Sequence, residues 1–408
     1  MKVNSIALLG HKDHGKSTLI GSLLMQTGAA TKVRIKEAEA YSKRLHRPFE
    51  PAFILDSFPE ERERGMTYDT TRAEIKYKGF AFSLIDVPGH EELMKNMISG
   101  ASYGETALLL VSAKSGEGIR NQTQRHLFVC SMLGIKRLIV AVNKMDLVGY
   151  SQKRFDAIGK GLAGFISAMG FEKGHVRFVP ISAYKGDNLT GKSSRMEWYR
   201  GKSLIEELYD NARLKHSSKK GMLRILVQGS IPSEKAGFAA GRVVSGDVKV
   251  GERVIMLPGG EHAVVKEIVV KGRRVRSAGR GDNVALGFRD RVKGDLRGSV
   301  IYPETSHQQS SARIEALIFL TKAFTKNVSI RFNGIDVKVR GMRVNRYIDT
   351  TTGRSCSSGR ISPLNAVRAE LRLARKIPVE RFDKAMELGR FVMYNGNKFI
   401  GIGIVTAA

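Results

Sequence analysis

Cysteine is scarce in this chain of 408 residues, which has only Cys130 and Cys356. Two cysteines build neither a disulfide framework nor a cysteine-based metal site, so a reducing compartment is the default expectation. Aromatic residues make up only 7% of the chain, yet 42% of it is hydrophobic. This hydrophobic content excludes intrinsic disorder and indicates folded domains that have their own cores.

Long apolar runs are also missing. No stretch approaches the roughly 20 apolar residues that are needed to cross a bilayer. The first apolar run, residues 6–9, is too short for a signal peptide and is followed at once by polar residues. We therefore expect a cytoplasmic protein that has no contact with a membrane.

Acidic residues are few: 39 Asp and Glu stand against 68 Lys and Arg, which gives a net charge of +29. Residues 1–216 carry +10 of this charge and residues 217–408 carry +19. The charge is densest at residues 271–276 and in a series of basic residues near the end, Arg368, Arg372, Arg375 and Lys376. Such a surface suits the phosphates of RNA, and the alternative is a merely solvated face.

The pattern of apolar residues divides the chain into three parts. Over residues 1–216, short apolar strands alternate with longer amphipathic stretches, which is typical of a doubly wound, mostly parallel α/β sheet. After a polar segment at 216–221, short β runs separated by glycine turns indicate a small closed barrel. A second polar break at 306–311 precedes another β-rich part. We predict an α/β P-loop domain at 1–216 and two β-barrel domains at 217–305 and 306–408.

Residues 10–17 fit the pattern G-x-x-x-x-G-K-[ST] of a phosphate-binding loop, directly after a strand and before a helix. Its glycines let successive backbone N–H groups face a polyphosphate, and the helix dipole adds positive potential. Lys16 is expected to reach the β- and γ-phosphate oxygens, and the Ser17 hydroxyl to bind Mg²⁺. The nucleotide-binding residues predicted here are Gly10, His11, Lys12, Asp13, His14, Gly15, Lys16, Ser17 and Thr18.

A second set of residues predicts that the base is guanine. The segment Asn143-Lys144-Met145-Asp146 follows an apolar strand, at the carboxyl end where ligands bind in parallel sheets. The Asp146 carboxylate can accept hydrogen bonds from guanine N1–H and from the exocyclic amine, a donor pair that adenine lacks. We expect Asn143 to tie the loop to neighbouring backbone and to the edge of the base, and the Lys144 stem to cover the ring. A further strand end can supply a backbone N–H to guanine O6, and its predicted contacts are Ser182, Ala183 and Tyr184.

Two more segments carry the groups expected for hydrolysis. His90 follows an Asp-x-Pro-Gly sequence at a strand end, which would bring it near the attacking water. Thr67 ends a charged segment and can bind Mg²⁺ only while the γ-phosphate is present, which would make that segment an order–disorder switch. The nucleotide-binding residues predicted at the strand end are Asp86, Val87, Pro88 and Gly89, and the predicted metal ligands are Ser17, Thr67 and Asp86.

Taken together, these motifs and the segments 95–100 and 122–126 resemble the elongation factor Tu/1-alpha superfamily of translational GTPases. The resemblance continues in the second domain at 241–251 and 279–284, and in the third at 389–392 and 400–405. It implies a GTPase that binds GTP and GDP with Mg²⁺, with His90 positioning the hydrolytic water. The resemblance also implies that tRNA, the ribosome or both are partners, and it allows a nucleotide exchange factor as a further partner. Neither DNA nor a membrane is expected to bind.

Two departures from the family leave alternatives open. Lys12 stands where the phosphate loop of the family has a small apolar residue, so its ammonium either is solvated or lies near the β–γ bridge. The third domain lacks the Gly-Tyr-x-Pro turn associated with aminoacyl-tRNA delivery, and residues 346–351 look closer to the GTPase subunit of ATP sulfurylase. The leading hypothesis is an elongation factor 1-alpha-like GTPase. The alternatives are the GTPase subunit of a sulfate adenylyltransferase and a GTP-gated ribosome-binding scaffold that carries no tRNA.

Overall fold

The computed structural model describes residues 3–55, 71–86, 106–213, 221–231, 238–289, 295–323 and 327–408. The chain forms two compact units. The first consists of Met1–Lys215 with Asp349–Arg354, and the second of His216–Ile348 with Ser355–Ala408. The second unit contains two β-barrels, and the domain boundaries given above, 1–216, 217–305 and 306–408, stay predictions.

The first unit is built around one sheet, whose described strands are β1 (Val3–Leu9), β2 (Thr71–Tyr77), β3 (Phe80–Asp86), β4 (Thr106–Ser112), β5 (Arg137–Asn143) and β6 (Val176–Pro180). They lie in the order β2-β3-β1-β4-β5-β6, and neighbours are parallel except for the antiparallel pair β2 and β3. The described α-helices are α1 (Lys16–Gln26), α2 (Lys32–Arg44), α3 (Asn121–Met132), α4 (Gln152–Ala168) and α5 (Leu204–Arg213). This is the predicted mostly parallel α/β sheet. In the part of the chain that the structure describes, no helix is both long and apolar enough to cross a bilayer.

The central strands of this sheet are apolar along their whole length because both of their faces are covered. Successive side chains of β4 point to opposite faces. Leu108 and Leu110 pack in the core that contains α1, and Leu109 and Val111 pack in the core that contains α3 and α4. Because parallel strands carry their carboxyl ends to one edge, the segments that follow β1, β5 and β6 meet at that edge.

The second unit begins with a closed barrel. Its strands are β7 (Arg224–Ile231), β8 (Phe238–Ser245), β9 (Asp247–Lys249), β10 (Arg253–Leu257), β11 (Glu261–Val270), β12 (Arg273–Val275), β13 (Ser277–Gly279), β14 (Asn283–Phe288) and β15 (Val300–Pro303). Six of these described strands close in the order β10-β15-β7-β8-β14-β11, because β11 pairs with β10. Strand β12 extends β11, and β9 pairs with β13. Aliphatic side chains such as Val227, Val265 and Leu286 fill the interior.

A second closed barrel follows. Its strands are β16 (Ser311–Leu320), β17 (Val328–Phe332), β18 (Ile335–Ile348), β19 (Ser355–Cys356), β20 (Ala366–Ile377), β21 (Arg390–Asn395) and β22 (Lys398–Ala407). Six of these described strands close in the order β17-β21-β22-β16-β20-β18, because β18 pairs with β17. Strand β19 pairs with the end of β18. The predicted fold class, an α/β P-loop domain followed by two β-barrels, is therefore confirmed.

A buried ion pair joins the two barrels inside the second unit. Arg224 on β7 donates two hydrogen bonds to the carboxylate of Glu380, at 2.6 and 2.7 Å. The hydroxyl of Tyr302 on β15 donates to the same carboxylate at 3.2 Å. The side chains of the pair are 12% and 4% exposed, so loss of one partner would leave a buried charge, at a cost of about 3–5 kcal/mol. The pair therefore favours one fixed arrangement of the two barrels.

Candidate nucleotide-binding site

The loop between β1 and α1 has a backbone that requires glycine at two positions. Gly10 has φ 141° and Gly15 has φ 86°, both in the region that L side chains rarely adopt. A Cβ at Gly10 would lie 2.7 Å from the carbonyl oxygen of Leu110, and one at Gly15 would lie 2.7 Å from Nδ2 of Asn143. The predicted phosphate loop therefore packs directly against β4 and the end of β5.

Lys16 and Ser17 occupy the amino terminus of α1, where the first backbone N–H groups have no acceptor within the helix. The Lys16 ammonium donates to the carbonyl oxygens of Gly10 and His11 at 3.2 and 3.4 Å, and so it bridges the loop from inside. Ser17 is half-buried in the first turn. The loop thus presents an ammonium, a hydroxyl and a helix amino terminus, which together suit a bound polyphosphate.

His14 holds the phosphate loop against the sheet. Its ring is fully buried, and Nδ1–H donates to the carbonyl oxygen of Leu110 at 2.9 Å. Burial lowers the pKa of His14 to about 4, and the nearby charges of His11 and Lys16 act in the same direction. The imidazole is therefore neutral at pH 7, and its role in this loop is structural.

The remaining predicted residues of the phosphate loop lie on its outer side. Lys12 and Asp13 are exposed in a 3-10 turn, and exposure of Lys12 favours the solvated alternative for its ammonium. The Asp13 backbone N–H donates to His11 Nδ1 at 3.3 Å. The Thr18 hydroxyl donates to Oε1 of Glu50 at 2.9 Å, so the protein itself uses this hydroxyl. A nucleotide contact by Thr18 would therefore involve its backbone N–H.

Asn143, the last residue of β5, joins three loops through one buried amide. Its Nδ2 donates to the carbonyl oxygen of His14 at 2.8 Å, and its Oδ1 accepts from the backbone N–H of Ala183 at 2.8 Å. The side chain is 2% exposed, and both ends of the amide are satisfied. The phosphate loop, the segment after β5 and the segment after β6 are therefore fixed to one another, and the contact of Asn143 with the edge of the base stays a prediction.

Asp146 and Ser182 come together at the predicted base-reading position. The Ser182 hydroxyl donates to Oδ1 of Asp146 at 2.6 Å and accepts from the backbone N–H of Lys185 at 3.1 Å. Asp146 is half-buried, and its Oδ2 has no hydrogen-bond partner among the described residues. One carboxylate oxygen is thus used to orient the group, and the other can accept from a ligand.

The backbone after β6 narrows the choice of donor for guanine O6. The N–H groups of Ser182, Ala183 and Lys185 all donate within the protein, at 3.2, 2.8 and 3.1 Å. The N–H of Tyr184 has no acceptor in the described part of the chain. Within this loop, Tyr184 is therefore the residue whose backbone can donate to a base.

Lys144 and Met145 differ in what they can offer a ligand. Lys144 has φ 64°, and its ammonium donates to Oε2 of Glu117 at 2.8 Å. Met145 is fully buried in the core that contains α3 and α4, and its N–H donates to the carbonyl oxygen of Ile181 at 3.2 Å. Met145 therefore anchors the loop from below, and its side chain faces the core.

Asp86 and Ser17 provide oxygen atoms of the kind that Mg²⁺ prefers. Asp86 ends β3 opposite Leu8 of β1 and is 3% exposed. Among the residues that the structure describes, no group of three or more His, Cys, Asp and Glu could hold a metal ion. The other residues predicted for this part of the site lie outside the described residues: Thr67, Val87, Pro88, Gly89 and His90.

Sequence reasoning missed the side chains that support the base-reading loops. The Tyr150 hydroxyl donates to Oδ2 of Asp187 at 2.8 Å, and Arg195 donates to the Tyr150 hydroxyl at 2.9 Å. From α1, the Ser22 hydroxyl donates to the carbonyl oxygen of Ala183 at 2.5 Å. A sequence signal existed for Asp187, which stands in a Gly-Asp-Asn turn shortly after β6. The others carry no motif, because their partners are distant in sequence.

The chain is similar to known proteins over nearly its whole length. The model of the elongation factor Tu GTP-binding domain matches residues 1–228, and the model described as GTP-eEF1A C-terminal domain-like matches residues 321–406. Elongation factor 1-alpha of Aeropyrum pernix is 36% identical, and that of Sulfurisphaera tokodaii is 35% identical. Each alignment covers 98% of this chain and 96% of the relative. A crystal structure of Sup35 with GDP is 23% identical, with a TM-score of 0.42 over 99% of this chain and 94% of that one.

Gly15→Ala should weaken GDP binding by at least about tenfold, because the new Cβ would press on Nδ2 of Asn143 and disturb the buried amide. Calorimetric titration with GDP measures the effect. Gly28→Ala is the matched control: Gly28 has a similar φ of 71°, but a Cβ there meets no described atom within 4 Å. Both variants carry backbone strain, so equal GDP affinities would contradict the role given to Gly15.

Proposed function

Because the chain belongs to the elongation factor Tu/1-alpha family and is an elongation factor 1-alpha-like translational GTPase, we propose that the loops after β1, β5 and β6 form its guanine-nucleotide site. The observation that carries this proposal is the amide of Asn143, which hydrogen-bonds to the phosphate loop and to the loop after β6. The phosphates would bind at the amino terminus of α1. The base would bind beside Asp146, with the aliphatic stem of Lys144 against its ring.

Selection of guanine over adenine follows from the groups on the two loops. Asp146 Oδ2 would accept from guanine N1–H and the exocyclic amine, and the N–H of Tyr184 would donate to guanine O6. Adenine reverses this pattern, since it has no proton on N1 and carries an amine at the position of O6. The half-buried carboxylate would then face no donor, which costs enough for strong rejection of ATP.

We further propose that Mg²⁺ accompanies the nucleotide, with Ser17, Asp86 and Thr67 as its protein ligands. When bound, the ion neutralises charge between the β- and γ-phosphates. Lys16 would leave the carbonyl oxygens that it now bridges and bind phosphate oxygens. His90 would orient the water that attacks the γ-phosphate, which is the assignment that its place after Asp-x-Pro-Gly supports.

The partner that best fits the second unit is RNA, as tRNA or as part of the ribosome. Arg346 on β18 lies directly opposite Arg368 on β20, and Arg313 on β16 lies directly opposite Arg372 on β20. All four side chains are exposed. Like charges in opposite positions destabilise a sheet, and a polyanion would relieve the repulsion. Of these four arginines, Arg372 lies 3.9 Å from Oε1 of Glu370, and in the run 271–276 Arg274 lies 3.0 Å from Oε2 of Glu267.

The two reported relatives are both named elongation factor 1-alpha, which favours a translational role over the sulfate adenylyltransferase alternative. A translational GTPase that binds tRNA or the ribosome would work in the cytoplasm, with a nucleotide exchange factor as a further partner. The third alternative, a ribosome-binding scaffold without tRNA, differs from the leading one in the RNA that copurifies. Recovery of tRNA under mild salt supports the delivery role, and recovery of ribosomal particles alone supports the scaffold.

Asp146→Asn should change the preferred base from guanine to xanthine, because the amide donates a hydrogen bond where the carboxylate accepts one. GDP affinity should fall at least about 100-fold, and the affinity for xanthosine diphosphate should rise. Competition binding with both nucleotides measures this change. Asp156→Asn, an exposed change on α4, is the control and should leave both affinities unaltered. If ATP competes with GTP on equal terms in the unaltered chain, the guanine assignment is wrong.

His90→Ala should lower the ribosome-stimulated rate of GTP hydrolysis by roughly 10²–10⁴-fold, with little loss of GTP affinity, because a positioned water-orienting group acts on the chemical step. Single-turnover hydrolysis with and without ribosomes measures the rate. His175→Ala removes an exposed histidine of the same unit and serves as the control. An unchanged stimulated rate in the His90 variant would exclude His90 from the reaction.

Arg346→Gln combined with Arg368→Gln should weaken RNA binding, because two phosphate contacts are lost. The slope of log K against log salt concentration should become less negative by about 1–2. GDP affinity should stay the same. The control is Arg331→Gln on the same barrel, since Arg331 is already neutralised by two hydrogen bonds to Asp336, at 2.8 and 2.9 Å. Equal loss of RNA in both variants would show that general charge, and not this face, binds RNA.

A further inference from the structure

Glu117 stands at a defined point in the loop between β4 and α3. It lies between Gly116, with φ 80°, and Gly118, with φ 36°, and Arg120 Nε donates to its carbonyl oxygen at 2.8 Å. Its side chain is 18% exposed. The loop that carries Glu117 lies at the same edge of the sheet as the loops described above, because β4 is parallel to β5. The backbone therefore places the Glu117 carboxylate at a fixed position on this edge of the sheet.

The two oxygens of this carboxylate hold two different lysines. Oε2 lies 2.8 Å from the ammonium of Lys144, and Oε1 lies 3.2 Å from the ammonium of Lys114. Lys114 is 53% exposed, whereas Lys144 is 24% exposed. Lys144 is thus fixed at both ends, by its left-handed backbone at φ 64° and by the ion pair at its tip. Its four methylene groups span a defined path between these two points.

We propose that Glu117 is a positioning residue for nucleotide binding, which holds the Lys144 stem in place to cover one face of the purine ring. The inference rests on the proposed function, because it takes the base to lie beside Asn143 and Asp146. A lysine side chain in water samples many rotamers, and ordering it in advance removes part of the entropic cost of binding. The ion pair also neutralises the ammonium, so that the stem can lie against an apolar ring.

The charge state of Glu117 agrees with this role. Partial burial would raise the pKa of its carboxyl group, but hydrogen bonds with Lys144, Ser112 and Lys114 outweigh burial and lower the pKa to about 2. The carboxylate is therefore ionised throughout the neutral range. Its contribution to stability is fully present above the ordinary glutamate pKa and is lost only as the pH falls towards 2.

This role of Glu117 predicts an effect on nucleotide dissociation that is the same for purine bases with different hydrogen-bonding edges. The stem of Lys144 contacts the ring face, which all purines share, whereas Asp146 reads donors on the edge. GDP and IDP differ by the exocyclic amine alone, and IDP lacks one donor for Asp146. Loss of the Glu117 anchor should therefore speed the dissociation of both nucleotides by the same factor. General loosening of the loops would also disturb Asp146 and would change the ratio between them.

Glu117→Gln keeps the shape of the side chain and removes its charge. We expect GDP and IDP to dissociate about fivefold faster from this variant, measured by stopped-flow chase of a fluorescent analogue of each nucleotide. Glu117→Asp should restore part of the loss. In a Lys144→Ala background the Glu117→Gln change should have no further effect, because the lysine through which it acts is gone. Lys114→Ala is the matched control, since it removes the other partner of the same carboxylate, and it should leave both rates unaltered.

Three results would overturn the proposal: unchanged dissociation from Glu117→Gln, the same fivefold effect in the Lys144→Ala background, or a changed ratio between GDP and IDP. Failure of the proposed function has a different signature. In that case the unaltered chain would bind GDP no better than ADP, whatever residue stands at position 117. The two failures can therefore be told apart in one set of measurements.

Discussion

The candidate site depends on one buried amide. The side-chain amide of Asn143 donates to the phosphate loop and accepts from the loop after β6. It therefore joins two loops that lie more than 100 residues apart in the sequence. Each buried polar group that loses its partner costs about 1–3 kcal/mol. An apolar residue at this position would therefore leave the His14 carbonyl and the Ala183 N–H unsatisfied at the same time. The phosphate-binding and base-reading geometries cannot shift independently while the amide is in place.

With the loops fixed, each part of a nucleotide bound as proposed would meet a different kind of interaction. The phosphates would meet the amino terminus of α1 and the ammonium of Lys16, the edge of the base would meet Asp146, and its face would meet the stem of Lys144. Each of the last two has its own support: Ser182 orients Asp146, and Glu117 holds Lys144. In the proposed complex, base specificity and the residence time of the nucleotide would therefore depend on separate side chains. A change in one can leave the other intact, which a single shared contact would not allow.

The sequence predicted best where chemistry and spacing fix a residue. The buried strands and the two barrels were predictable because apolar periodicity carries them directly, and motif spacing located the two glycines of the phosphate loop that take a positive φ, Gly10 and Gly15. Two elements of the first unit were not predictable. Helix α2 is polar and buries little besides Ala38 and Tyr41, and β2 is an antiparallel edge strand that lies outside the alternation of strand and helix.

Contacts between distant polar residues could not be predicted at all. The bond from Thr18 to Glu50 and the bond from Tyr150 to Asp187 join residues 32 and 37 positions apart, and neither pair leaves a periodic signal in the sequence. Met145 shows that a motif can also contain a residue that does not face the ligand. It stands inside the Asn-Lys-x-Asp motif, yet its side chain belongs to the core below the loop. A motif fixes which positions face the ligand only after the fold has set the path of the backbone.

The two units are suited to phosphate in physically different ways. The nucleotide loops offer a few short, directed contacts inside a close-packed edge, where salt screens little. The second barrel offers exposed arginines, some neutralised, as Arg331 is by Asp336, and some set directly opposite each other, as Arg346 is to Arg368. An exposed arginine that has no acidic partner leaves a field that reaches into solvent. In the proposed complexes, RNA binding to that field would weaken steeply with salt and nucleotide binding in the loops would weaken little, so ionic conditions would alter RNA binding while the nucleotide state stays the same.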